Sequence, residues 1–89
     1  MKVSDQFILR EIAGDSLLIP VGDAAISVKG LIGLSESGAF LFQKLKTECT
    51  FEELVSALTG EYDVSAAEAA RDIDAFLNQM RQLHMLVEE

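Results

Sequence analysis

The sequence predicts an α+β domain, a three-stranded antiparallel sheet followed by three helices. Three observations lead there. The first third of the chain is rich in strand formers interrupted by glycine-containing turns. From Ser35 onward, apolar residues recur at helical spacing. Two of the helical stretches open with a hydroxyl residue followed three places later by Glu, the capping-box signature. With 89 residues there is room for one domain, spanning residues 1–89, and one modest core.

Phe7 to Ala13 (FILREIA) and Ser16 to Val21 (SLLIPV) are the first two strands. Gly14-Asp15 between them suits a type II′ hairpin turn, because Gly takes positive φ cheaply. That loop would place Ile12 opposite Leu17, Arg10 opposite Ile19 and Ile8 opposite Val21. The face carrying Ile8, Ile12, Leu17, Ile19 and Val21 is then the better core face. Pro20 cannot donate to a ladder and belongs at a strand end or an edge. Met1 to Gln6 reads as a loose lead-in. Ala25-Ile26-Ser27-Val28 reads either as a strand or as a loop skirting the sheet. Leu31 to Leu34 is the third strand.

Ser35 can cap a first helix from Glu36 to about Lys46, with Leu41, Phe42 and Leu45 on one face. Gly38 on that helix allows close approach of another backbone. Lys44 and Lys46 suit the negative end of its dipole. Thr50-Phe51-Glu52-Glu53 opens a second helix, with Phe51, Leu54, Val55 and Leu58 on one face and Gly60 at its end. Ser65-Ala66-Ala67-Glu68 opens the longest helix, running to about Leu83. Its apolar positions are wider than a single packing seam requires. Leu86 and Val87 form a short tail. Two short helices before a longer one, with strands attached, make a small winged-helix-like domain.

Composition excludes several classes. Hydrophobic residues are 49 % of the chain, so it is no disordered tail. No apolar run approaches the ~20 residues needed to cross a bilayer. The opening MKVSDQF is too polar for a secretory signal, and a lone Cys49 fits a reducing cytoplasm. Net charge is −8, against the basic stripe that phosphate-backbone binding requires. The exposed side of the third helix mixes Glu68, Arg71, Asp72, Asp74 and Arg81, poor chemistry for a DNA groove. His84 and Cys49 stand alone, and a metal site needs several such ligands. No nucleotide loop is present. The chain reads as a non-enzymatic interaction module without metal or cofactor. A winged-helix DNA-binding regulator and a structural interaction module are the alternatives.

The ordered set of motifs resembles the PqqD-like family. Leu31 to Phe42 (LIGLSESGAFLF) is similar to its LN-x-TG-(A)-x-x-W/L segment. Thr50-Phe51-Glu52-Glu53-Leu54 resembles its T-x-E-E-L helix start. Glu61-Tyr62-Asp63-Val64, then Asp72 to Leu77 and Leu83, resemble its closing "eyd…Dv-x-x-fl…L". Phe7 to Pro20 resembles the F-x-L-R-E-x-A-G hairpin of one branch. The family's frequent Asn is Ser35 here, and its frequent Trp is Phe42. These replacements preserve capping and filling.

The resemblance implies a RiPP recognition element, a peptide chaperone. Such a domain binds the leader of a ribosomally synthesised precursor peptide and presents it to a modifying enzyme, often a radical SAM protein. In the family the leader adds as a strand beside the third strand, in a groove walled by the third helix. That placement implies a peptide site formed by Leu31, Ile32, Gly33 and Leu34 with Ala69, Asp72, Ile73, Phe76, Leu77 and Met80. Asp72 is expected at the rim. Phe76, Leu77 and Met80 are not all expected to face the core.

Overall fold

In the computed structural model, which describes residues 1–27 and 30–88, the elements run in the expected order, with additions at the ends and in the middle. They are β1 (Lys2–Val3), β2 (Phe7–Ile12), β3 (Asp15–Pro20), α1 (Ala24–Ser27), β4 (Ile32–Leu34), α2 (Glu36–Lys44), α3 (Phe51–Glu61), α4 (Ala66–Gln82) and β5 (Leu86–Val87). The main sheet is antiparallel in the order β2-β3-β4, so β4 is an edge strand. The sheet with its following helices is the predicted α+β, winged-helix-like arrangement.

The hairpin differs from expectation in register. Its pairs are Ile12 with Asp15, Arg10 with Leu17 and Ile8 with Ile19. The loop is therefore Ala13-Gly14, and both residues have positive φ, 54° and 85°. Two positive φ values make a type I′ turn, whose twist matches the strands better than ordinary turns do. The two-residue slip leaves each strand's faces intact. The buried face, however, is the other one. Phe7 and Leu18 are buried, and Leu9 packs against the core. Ile12 is 49 % exposed, while Ile8, Leu17 and Ile19 are only half-buried. Aromatic Phe7 fills the space under the helices where the shorter chains of the opposite face would leave voids.

The lead-in is also ordered. β1 pairs antiparallel with β5, matching Val3 with Leu86. The Val3 N–H donates to the Leu45 carbonyl at 2.8 Å and the Ser4 N–H to Met85 at 2.6 Å. The chain between β3 and β4 begins as a short helix, α1, rather than a strand. Of the stretch read as strand or loop, Val28 lies outside the described residues, as does Lys29.

The helices start where local chemistry dictates. The Ser35 hydroxyl accepts from the Gly38 N–H, and complete capping boxes close at Thr50–Glu53 and Ser65–Glu68. Each such cap contributes about 1 kcal/mol. Gly60 is not the terminator expected. It lies inside α3, and the extended Tyr62 is the cap residue. Leu41, Phe42, Leu45, Leu54, Leu58, Ile73, Leu77 and Met80 form the interior with Leu18 and Met85. Each such side chain contributes roughly 1.5–3 kcal/mol by leaving water. Arg81 grips Glu88 with two hydrogen bonds, at 3.0 and 3.2 Å, tying the tail to α4.

Candidate functional site: the free edge of β4

Hydrogen-bond parity decides which backbone groups of β4 are free. The Val21 N–H donates to the Gln6 carbonyl at 2.8 Å, so that pair is hydrogen-bonded. Bonded and non-bonded pairs alternate along an antiparallel ladder. Ile8–Ile19, Arg10–Leu17 and Ile12–Asp15 are therefore the bonded pairs between β2 and β3. The intervening residues of β3, Ser16 and Leu18, turn their backbone groups toward β4. Their partners there are Leu34 and Ile32. Gly33, between them, must direct its N–H and C=O away from the sheet. It stands in the middle of an edge that no other strand pairs with among the described residues, it has no side chain, and nothing lies within 4 Å of where a Cβ would be.

Beside this edge is a recess of about 280 Å³ lined by Gly33, Leu34, Ser37, Gly38, Asp72, Ala75, Phe76 and Gln79, among others. Gly38 sits beneath its own capping residue and faces α4 at ordinary contact distance. A Cβ there would lie 3.2 Å from the Ser35 hydroxyl and 3.7 Å from the Phe76 ring. The close approach of another backbone expected at Gly38 is not found: the atoms around it are side chains, the tightest being the capping Ser35 hydroxyl. Asp72 is exposed at the rim, and it forms no ion pair among the described residues.

The structure brings together Gly33, Leu34, Asp72 and Phe76 of the residues expected here. Leu31 stands just before β4 and is 56 % exposed, and Ile32 is half-buried on the core side of the strand. The remaining four are elsewhere. Ala69, Ile73 and Met80 are completely buried and Leu77 nearly so. The expectation that the apolar stripe of α4 is too wide for the core is corrected. Ile73, Leu77 and Met80 all face inward, and Phe76 is 6 % exposed where core meets recess. The stripe is wide because α3, α2 and β5 all pack against it. Ser37, Gly38, Ala75 and Gln79 were missed. The spacing 72–75/76–79 was a readable signal, since those positions share a helix face.

A larger cleft of about 820 Å³ lies under the hairpin tip, lined by Arg10, Glu11, Asp15, Glu36, Lys46, Phe40 and Tyr62, among others. Its charges are mixed. Phe40 and Tyr62 meet edge to face at 5.6 Å, with the Lys44 ammonium 5.3 Å from the Phe40 ring centre. Burial first, and then Glu36, hold the Tyr62 phenol above its ordinary pKa. Cys49 and His84 line two different recesses. Among the described residues no group of three or more His, Cys, Asp or Glu could hold a metal. No helix there is long and apolar enough to cross a membrane.

Residues 17–86 match the family model described as "Coenzyme PQQ synthesis protein D (PqqD)". The chain belongs to the PqqD family. The resemblance seen in the motifs of Leu31–Phe42 and Thr50–Leu54 is therefore real. The fold agrees with a solved structure, "TbiB1 in Complex with the TbiA(beta) Leader Peptide", at a TM-score of 0.76 and 25 % identity. That likeness covers 100 % of this chain and 98 % of the other. Comparison with curated proteins gives no match.

Proposed function

We propose that this PqqD-family chain, acting as one domain over residues 1–89, binds the leader segment of a ribosomally synthesised precursor peptide. The leader adds as a strand to the outer edge of β4 and lies in the recess against α4. The domain then presents the peptide to a modifying enzyme of the radical SAM type, in the cytoplasm, without catalysing a step itself. The observation that carries this reading is Gly33: an N–H and C=O turned away from the sheet, on an edge that no strand pairs with among the described residues, beside a groove. Strand addition takes affinity from main-chain bonds and specificity from pockets for alternate side chains. The TbiB1 complex supports the reading, because a protein of this fold was solved with a leader peptide.

The contact residues on this reading are Leu31, Gly33, Leu34, Asp72 and Phe76, with Ile32 holding the strand to the sheet. Ala69, Ile73, Leu77 and Met80 support the wall from behind. The lone Cys49 and His84 take no chemical part.

The test is calorimetry with a synthetic leader taken from a short precursor gene beside this one. A dissociation constant in the micromolar range or tighter is expected, about −8 kcal/mol or better. Affinity that survives blocking of the β4 edge would send the peptide elsewhere.

A further inference from the structure

The stripe of α4 that lines the recess does not stop at Gln79. Asp72, Phe76, Gln79 and Leu83 succeed one another at helical spacing on one side of the helix. Leu83 and its neighbour Gln82 line a second recess of about 570 Å³, with Phe7, Asp23, Ala24 and His84 among its other residues. As α4 runs from Asp72 to Leu83, the facing wall passes from β4 back to Asp23 and Ala24 at the start of α1. The rise along the helix is about 16 Å at ~1.5 Å per residue. An extended peptide covers that distance in about five residues.

The second recess has an apolar floor and an acidic rim. Phe7 is buried and Leu83 half-buried beneath it. Gln6, whose amide oxygen takes the Ala24 N–H at 2.8 Å, pins α1 in place as the outer wall. On the same short helix Ile26 is 78 % exposed. Asp23 is exposed and forms no ion pair among the described residues. Among the described residues, those lining the two recesses include Asp23 and Asp72 and no Lys or Arg. Each end of the α4 stripe thus offers one carboxylate over apolar carbon.

The geometry points to a second subsite in the recess between α1 and the end of α4, occupied by the same peptide that adds to β4. This inference rests on the strand-addition reading above and extends it. The peptide carries one basic residue for Asp72. About five residues away it carries an apolar side chain that seats on Phe7 and Leu83, next to a basic residue for Asp23. A peptide matching both points is held more tightly than one matching β4 alone, because the second contact forms without a second loss of translational freedom.

The probe is a random library of peptides of about twelve residues, long enough for both points with flanks. It is selected by display against the whole chain, and the winners are measured by calorimetry. Two variants separate the outcomes. Gly33→Pro blocks the edge. Asp23→Lys with Gln82→Lys, both exposed positions, reverses the charge of the second recess. Amide spectra verify that both variants fold. The expected winners carry Lys or Arg beside an apolar residue, lose binding to Gly33→Pro and weaken at least tenfold on the double reversal. Loss on Gly33→Pro with unchanged affinity for the double variant overturns the second subsite and leaves strand addition standing. Binding that ignores Gly33→Pro overturns strand addition, and the extension with it.

Discussion

Two stripes of α4 lie side by side and do different work. Ile73, Leu77 and Met80 are sealed in the core. Asp72, Ala75, Phe76 and Gln79 line the recess beside β4. One residue's rotation along the helix separates a position that holds the fold from one that can meet a partner. Phe76 belongs to both, since it is nearly buried yet lines the recess. The wall of the groove is therefore the outer surface of the core. Its position is fixed as firmly as the packing behind it, as a preorganised binding surface requires.

The largest effect expected is on the inner stripe. Leu77→Ala should cost about 2–5 kcal/mol of stability, because the closed interior cannot collapse around the void. Chemical denaturation measures it. An undiminished midpoint would mean that the inner stripe is not core, and the contrast would fail. Proline substitutions in β4 come next. Ile32 spends its N–H on β3, so Ile32→Pro should cost roughly 3 kcal/mol. Gly33→Pro should leave the melting midpoint nearly unchanged and lower leader affinity about a hundredfold, about 2.8 kcal/mol at ~1.4 kcal/mol per tenfold. Equal loss of fold in both variants would contradict the parity derived for the edge.

On the outer stripe, Asp72→Lys should weaken a leader with a basic contact residue about tenfold and leave stability within about 0.5 kcal/mol. A double-mutant cycle with that leader residue measures the coupling. Absence of coupling would leave Asp72 a mere solvated rim.

Two smaller predictions concern the hairpin turn and the Tyr62 cleft and serve as controls. Ala13 bears a positive φ of 54° in the hairpin turn. Ala13→Asn should stabilise the fold by about 0.5–1 kcal/mol, since Asn accepts that conformation more readily, with leader affinity unchanged. Tyr62 is the single tyrosine, so its ultraviolet titration is uncontaminated. Its pKa should lie above 10.0 and fall toward it in Glu36→Gln, because Glu36 disfavours the phenolate. The folded state retains the phenolic proton longer than the unfolded state. Stability should therefore decline as pH rises past the unfolded value of about 10. A Tyr62 titration below 10 would place the ring in a different environment.

The helices were legible because their signals are local. Ser35, Thr50 and Ser65 cap through bonds that span three residues, and no distant element is needed to make them. The apolar spacing of α2, α3 and α4, and the strand ahead of Ser35, could be read for the same reason. So could the family's ordered motifs. The hairpin's register could not. Two adjacent two-residue loops were possible, and the one formed puts positive φ on Ala13 as well as Gly14, where Ala carries no local signal. Nor could its buried face, because both faces are apolar and only the docked helices select Phe7 and Leu18. The pairing of Lys2–Val3 with Leu86–Val87 joins the two ends of the chain. The division of α4 into an inner and an outer stripe depends on what surrounds it. Local hydrogen bonds and periodicity were set by the sequence itself. Which apolar surface is covered, and by what, was decided by non-local packing, whose partners lie far along the chain.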